Sequence, residues 1–179
     1  MMAFEKLLAK KRSAILTGWF QAVIDSYPEE TAQFLKKEQD PFANPVGRTV
    51  RDGLNGILDL LLENKDEVEA TTFLDDIIRV RALQDFSPAR ALVFIFQLKR
   101  VLSDVLAEDL EEPELSRQLR QFAPRIDRLA LLAFDIYTNC RAQLYSIRVK
   151  ESEQRAGKLL ERANALWEKR AQRSRVPES

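Results

Sequence analysis

Residues 77–100, IIRVRALQDFSPARALVFIFQLKR, decide the fold of this 179-residue chain. One apolar segment gives way to another at Ser87 and Pro88. This pair is typical of a helix start, because serine accepts bonds from free N–H groups and proline at the first helical position loses none. Read alone, the apolar run at residues 91–96 is also compatible with a buried strand. Because apolar residues continue to Leu106, beyond an ordinary strand, we predict a central helix buried on several sides.

Apolar residues at spacings of three and four predict helices on both sides of this stretch. The predicted helices before the central one cover residues 4–27, 29–37, 46–63 and 67–85, and those after it cover residues 113–122 and 124–173. Pro124 is expected to kink or restart the last helix. In the turn-rich bridge at residues 40–47, Asn44 is the predicted cap of a helix that starts at Pro45, and Phe42 is the predicted anchor.

The composition indicates an all-α protein. The chain has only 5 Gly and 7 Pro, with 45% hydrophobic and 31% charged residues, and it is rich in strong helix formers. Two of the glycines, Gly53 and Gly56, offer a small-residue face for close approach to another helix. The 28 Lys and Arg balance the 28 Asp and Glu, so no overall field draws the chain toward nucleic acid or anionic lipid.

Cysteine content and hydropathy indicate the compartment. A single cysteine excludes an internal disulfide framework, and no N-terminal stretch has the apolar core of a signal peptide. No apolar run approaches the ~20 residues that span a bilayer. We therefore expect a cytoplasmic protein without membrane insertion.

The chain contains no histidine. This absence removes Ser-His-Asp and Cys-His nucleophile pairs, histidine metal ligands and the proximal histidine of ordinary haem proteins. Cys140 is interpreted as a small buried hydrophobe, because only Arg141 lies beside it to favour the thiolate. We expect no enzyme activity, no metal site, and no haem or other cofactor.

Five basic residues lie within the central stretch, and two interpretations of them stay open. They are Arg79, Arg81, Arg90, Lys99 and Arg100. Because aspartates lie nearby, salt-bridged helix rims are the first interpretation. A patch for an anionic ligand or a partner is the second. Clustered phenylalanines around the central helix likewise predict either a plain core or an apolar ligand cavity.

The last third of the chain carries the spacing of a coiled-coil seam. Five residues step by 4, 3, 4 and 3: Ala133, Tyr137, Cys140, Leu144 and Ile147. After Lys150 the helix becomes polar, and between residues 141 and 176 ten Arg or Lys stand against four Glu. This basic end lacks interleaved aromatic residues, so no nucleic-acid binding is predicted.

These patterns divide the chain into two predicted parts. Residues 1–150 form a helical domain, and residues 151–179 form a polar, basic helical extension or connector. The long C-terminal helix is predicted to project from the domain, and it either pairs with a second subunit or folds back.

Four collinear blocks then stand out: DPFANPVG at residues 40–47, IIRVRALQDFSPA at 77–89, FIFQLK at 94–99, and FDIY with Cys140 and Arg141 at 134–141. Together they resemble the N-terminal sensor domain of the RsbR-type stressosome proteins, the RsbT co-antagonist family. The resemblance covers roughly residues 14–150. It implies a non-haem globin-like helical fold that dimerises through its last helices, with the final helix as a connector to an output domain.

The resemblance also bears on the dimer interface and on the domain organisation. The dimer interface is predicted at Tyr137, Cys140, Leu144 and Ile147. Family members typically continue into a STAS phosphoacceptor domain, which has no match in these 179 residues, so a stand-alone module is expected.

Two functions remain as alternatives. The first is a non-enzymatic, homodimeric, cytoplasmic regulatory module that relays a signal through its C-terminal helix to an unidentified signalling partner. The second is a small-molecule sensor that holds an apolar ligand, such as a fatty acid, in the haem-equivalent cavity. The predicted lining of that cavity is Phe94, Leu98 and Phe134.

Overall fold

The structure, a computed structural model, describes residues 2–37, 43–63, 65–84 and 86–173. Its α-helices are α1 (Met2–Ile24), α2 (Glu29–Lys37), α3 (Pro45–Leu62), α4 (Thr71–Leu83), α5 (Pro88–Val105) and α6 (Pro113–Arg173). Turns of 3₁₀ helix at Glu67–Ala70 and Asp109–Glu111 precede α4 and α6. Because no strand occurs in these described ranges, the all-α prediction is confirmed. Phe42, the predicted anchor, and residues 174–179 of the predicted extension lie outside them.

Both predicted helix caps are confirmed. The Asn44 side chain accepts a hydrogen bond of 2.8 Å from the backbone N–H of Gly47 at the start of α3. The Ser87 side chain accepts one of 3.4 Å from the backbone N–H of Arg90 at the start of α5. A proline follows each cap at the first helical position. The start of each helix is therefore fixed by residues adjacent to it in the sequence.

The core is built around α1, which packs against α5 and against α3. Trp19 of α1 is fully buried, and its ring stacks on that of Phe94 with the centroids 6.3 Å apart. Its indole N–H donates a 2.7 Å hydrogen bond to the Phe94 carbonyl. A large aromatic residue therefore fixes the position of α1 on the middle of α5.

The α3 and α4 helices approach each other closely at two glycines. A Cβ atom on Gly53 would lie 2.8 Å from Cδ1 of Ile77, and one on Gly56 would lie 2.5 Å from the Phe73 ring. A larger residue at either position would force the neighbouring side chain or the helix that carries it to shift. The small-residue face predicted from the sequence is confirmed.

A kink or a restart of the last helix was predicted at Pro124; the restart is wrong, and the kink stays a prediction. The α6 helix continues through this residue without a break. Proline removes one backbone donor and crowds the preceding turn, but the buried side chains of Ile126 and Leu129 follow it directly. Burial of these neighbours therefore keeps the helix in place.

The prediction that α5 is buried nearly all round is also wrong in part. Ala91, Phe94 and Ile95 are buried, whereas Val93 is 37% exposed and Phe96 is 49% exposed. Within one chain, α5 thus keeps an apolar side that no neighbouring helix covers.

The chain divides into one compact unit up to Cys140 and a second unit from Arg141 onward, and α6 contributes residues to both. In the second unit nearly all described side chains are exposed, including Leu159, Leu166 and Trp167. Within the described ranges, no helix is both long and apolar enough to cross a membrane.

Candidate functional site

The three residues predicted to line a ligand cavity do not share one environment. Phe94 and Leu98 are fully buried, and Phe94 is engaged with Trp19 as described above. Phe134 lies on the surface of α6 and is 51% exposed. Neither the cavity between α1, α3 and α6 nor the groove between α1 and α5 is lined by any of the three. A fatty-acid site at these residues stays a prediction.

The four residues predicted at a dimer interface also differ in their surroundings. Tyr137 and Cys140 are buried within their own unit, and the Tyr137 hydroxyl donates a 2.7 Å hydrogen bond to the Phe86 carbonyl. Burial raises the pKa of the Cys140 thiol, so the side chain is kept protonated as a small hydrophobe. Leu144 is half-buried and Ile147 is exposed. Only the latter two offer apolar surface to another molecule.

Four other apolar residues of the first unit are exposed in a single chain. Two of them lie on α5 and two on α6: Val93, Phe96, Leu131 and Phe134. We call this set the α5–α6 face. Leu131 is 70% exposed, and residues three apart on each helix point to the same side.

Two contacts link α6 to α5 and to the residue two positions before it, in an order that makes the two helices antiparallel. Near one end, Lys99 Nζ lies 2.6 Å from the Asp127 carboxylate. Near the other end, the Tyr137 hydroxyl meets the Phe86 carbonyl. Phe96 lies three residues before Lys99 and Leu131 lies four after Asp127, so the apolar residues continue from this ion pair along both helices.

Arg81 departs most from what its sequence context suggested. Among the described residues, it is the charged side chain with no exposed surface, so its interpretation as part of a salt-bridged rim is wrong. Its terminal nitrogens donate to the Arg90 carbonyl at 2.9 Å, the Val23 carbonyl at 3.3 Å and the Ser26 hydroxyl at 2.7 Å. The guanidinium therefore joins the end of α1 to the start of α5.

Aromatic rings surround the same guanidinium. Its central carbon lies 5.2 Å from the ring centroid of Tyr27, 5.1 Å from that of Phe86 and 5.3 Å from that of Phe94. No carboxylate among the described residues pairs with it. Burial lowers the pKa of Arg81, but a guanidinium stays protonated in proteins. A positive charge is thus held in the core by carbonyl dipoles and aromatic faces.

Two polar atoms of this cluster have no hydrogen-bond partner within the described part of the chain, the Arg81 Nε and the Tyr27 hydroxyl. Burial raises the pKa of Tyr27, which keeps the phenol neutral.

A second buried ionic group ties α6 to the connection between α3 and α4. Arg125 Nε donates to Glu67 at 2.7 Å, and both side chains are only 13% exposed. The two terminal nitrogens of Arg125 donate to the carbonyls of Leu61 at 2.9 Å and Lys65 at 2.7 Å. Arg128 adds a hydrogen bond of 2.8 Å to the same carboxylate. Glu67 is thus shared by two guanidiniums.

This arrangement predicts a pH dependence of folding. Burial by itself raises the pKa of Glu67, but hydrogen bonds from Arg128 and Arg125 outweigh it and lower the pKa from 4.5 to about 2. The resulting stabilisation is fully present above the unfolded-state pKa and is lost as the pH falls through the folded-state value. Between about pH 5 and pH 2, the free energy of unfolding should fall by on the order of 2 kcal/mol more than in a Glu67→Gln variant.

Urea titrations of both proteins at about pH 7, 4 and 2.5 measure this difference. Glu69→Gln is the matched control, because Glu69 is a neighbouring glutamate with an exposed side chain. It should keep the wild-type pH dependence. Identical pH profiles for wild type and Glu67→Gln would contradict the prediction.

Neither the Arg81 cluster nor the ionic group at Glu67 brings together side chains typical of a metal centre. Across the described ranges, no three His, Cys, Asp or Glu side chains are grouped so that they could hold a metal ion. The first unit instead offers the buried cation Arg81, the ionic group at Glu67 and the exposed α5–α6 face.

Comparison with known proteins identifies a matching family and a relative. The family model described as the RsbT co-antagonist protein rsbRD N-terminal domain matches residues 13–152. An uncharacterized protein of Archaeoglobus fulgidus is 22% identical over 147 residues, which cover 79% of this chain and 85% of that protein. No solved structure matches the chain. The family match includes Arg81, Glu67, Arg125 and the whole α5–α6 face.

Proposed function

Because the chain belongs to the family of RsbT co-antagonist rsbRD N-terminal domains, we propose that it is a non-enzymatic, cytoplasmic regulatory module with a non-haem globin-like fold. In this proposal it works as a homodimer and relays a signal through α6 to a signalling partner. The family points to a stressosome-type sensor domain and is not a known enzyme class. The observation that carries the proposal is the exposed α5–α6 face.

The chemistry of this face supports a second copy of the chain as its occupant. Two antiparallel helices with an apolar side between them form half of a four-helix bundle, and a two-fold axis supplies the other half from the same surface. Phe96 and Phe134 provide large aromatic anchors of the kind that dominate interface energies. The charged residues Lys99 and Asp127 beside these apolar residues are paired with each other at 2.6 Å, so a partner that covers them would not bury an unpaired charge.

The course of α6 supports the relay. Ile126, Leu129 and Ala133 are buried in the first unit, and the same uninterrupted helix continues to Arg173. A helix transmits a shift of its packed segment along its axis, because its backbone hydrogen bonds resist bending. A signal that changes the packing of the first unit would therefore reach residues beyond Arg141.

Sedimentation equilibrium tests the dimer. Wild-type protein is expected to be a dimer at micromolar concentration, whereas Phe96→Asp and Leu131→Asp should each weaken association by at least about 100-fold, the loss of a central anchor. Both residues are exposed in one chain, so the variants should fold and give unchanged far-UV circular dichroism.

Val68→Asp is the matched control, because Val68 is an equally exposed apolar residue outside the face. It should leave the dimer intact. A wild-type protein that stays monomeric at millimolar concentration would contradict the proposal, and so would a Val68→Asp variant that dissociates as readily as Phe96→Asp.

A further inference from the structure

We infer that the second unit is a docking surface for an acidic amphipathic helix of a partner protein. The surface consists of an apolar seam on α6 with a row of arginines along one edge. A partner bound there would receive the signal that α6 relays, so this inference rests on the proposed function.

Apolar and small residues of the second unit recur at the spacing of a coiled-coil seam. All are exposed in a single chain, and none belongs to the five-residue seam predicted from Ala133 to Ile147. We call them the distal seam, and their steps are 4, 3, 4, 3, 4 and 3: Tyr145, Val149, Ser152, Ala156, Leu159, Ala163 and Leu166. A continuous row of exposed apolar residues marks an interaction site.

Two large residues widen the distal seam on one side. Leu160 and Trp167 each follow a seam leucine directly, which places them at the e position of a heptad in which Leu159 and Leu166 occupy d. They are 65% and 72% exposed. Tryptophan is enriched among the residues that dominate binding energies. A helix laid along the seam would therefore bury three leucines and a tryptophan of this chain.

A row of arginines follows the opposite edge of the distal seam. Arg148, Arg155 and Arg162 recur every seven residues, at the g position. The side chain of Arg155 is 82% exposed, and its ion pair with Glu151 is 4.0 Å long, so this surface pair competes only weakly with a partner. Residues at g select the partner by charge. The edge therefore favours a helix with carboxylates at the facing positions.

A second copy of α6 matches the arginine row poorly. In a parallel pair, each g residue faces the e residue five positions further along the other helix, and these e residues are Glu153, Leu160 and Trp167. Only one of the three arginines would meet a carboxylate. In an antiparallel pair, the two arginine rows would face each other. Each copy also carries ten Arg or Lys against four Glu at residues 141–176, so two copies would repel.

Isothermal titration calorimetry of the full chain with two designed peptides tests the surface. Both peptides have four heptads with isoleucine at a and leucine at d, and one has glutamate at e and g where the other has lysine. Their like charges keep each peptide from pairing with itself. We expect the glutamate peptide to bind with a Kd at least about tenfold below that of the lysine peptide, because each arginine attracts glutamate and repels lysine.

Charge-reversed variants separate the arginine row from the overall charge. Arg155→Glu combined with Arg162→Glu should weaken binding of the glutamate peptide by at least about tenfold and strengthen binding of the lysine peptide. The matched control is Lys150→Glu combined with Lys158→Glu. Both lysines are exposed on the sides of α6 away from the distal seam, so the same change in net charge should leave the preference for the glutamate peptide.

Leu159→Asp tests the distal seam itself. The substitution puts a carboxylate in the centre of the apolar row, so it should abolish binding of the glutamate peptide. Leu159 is 64% exposed, and far-UV circular dichroism should stay unchanged. Leu159 lies outside the α5–α6 face, so this variant should sediment like wild type.

Equal affinities for the two peptides, or a lysine control that loses the preference as the arginine variant does, would overturn the inference. So would a Leu159→Asp variant that dissociates like Phe96→Asp, because a second copy would then occupy the distal seam. Displacement of the glutamate peptide by phosphatidylglycerol vesicles would assign the seam to a lipid surface instead.

The same measurements keep this inference apart from the proposed dimer. A monomeric wild-type protein that binds the glutamate peptide refutes only the dimer. A dimer that binds neither peptide at about 0.1 mM refutes only the docking surface.

Discussion

Replacing Arg81 with alanine is expected to lower the free energy of unfolding by about 4 kcal/mol, close to the largest losses seen for single core truncations. The substitution removes a fully buried side chain and leaves a cavity between three aromatic rings. It also removes the hydrogen bonds that join α4 to Val23, Ser26 and Arg90. Urea denaturation followed by circular dichroism measures the loss.

The Arg81→Met variant separates the effect of the lost side-chain volume from the effect of the lost charge. Methionine fills most of the space and needs no counter-charge, so we expect it to cost at least about 2 kcal/mol less than alanine. The Arg79→Ala control removes an exposed arginine paired with Asp75, and it should change stability by less than about 1 kcal/mol. If Arg81→Ala lies within the error of Arg79→Ala, the buried guanidinium does not hold the helices together.

Replacing Arg125 with leucine should cost about 3 kcal/mol, because truncating one partner of a buried ion pair leaves the other uncompensated. Glu67 would keep only Arg128, and the carbonyls of Leu61 and Lys65 would lose their donor. The same denaturation experiment at neutral pH measures this effect. Destabilisation should appear without loss of helix content in the native baseline.

Arg128→Leu is the comparison, since Arg128 donates to the same carboxylate from a side chain that is largely exposed. It should cost about 1 kcal/mol or less. A larger loss for Arg128→Leu than for Arg125→Leu would show that burial does not set the strength of these bonds.

Local signals in the sequence predicted much of the fold. The caps at Asn44 and Ser87 and the close approach at Gly53 and Gly56 were all predicted correctly, because each depends on residues within one or two helical turns. The uninterrupted path of α6 through Pro124 was not predicted, because it depends on burial of the residues that follow. A proline gives the same local signal whether or not the tertiary structure compensates for it.

The burial of Arg81 required information that local composition does not carry. The residue lies four positions after Ile77 and three after Ile78, on the same side of α4, so the helical register did contain a signal. Its charge and the nearby aspartates favoured an exposed rim instead. What buries it is the meeting of Tyr27, Phe86 and Phe94, which come from separate parts of the chain.

The candidate sites were harder still to predict. Val93 and Phe96 are as apolar as core residues, and hydrophobicity alone does not show which apolar residues of a helix are exposed. Glu67 and Arg125 are 58 residues apart, and no periodic pattern links them.

The two tryptophans give the molecule its own optical reporters, one in each unit. Trp19 is buried against Phe94, while Trp167 is exposed in the second unit. An indole in an apolar core emits at shorter wavelength than one in water, so Trp19 supplies the blue part of the emission and Trp167 the red part. Unfolding of the first unit shifts only the blue part. Fluorescence at two wavelengths therefore follows the core without any added dye.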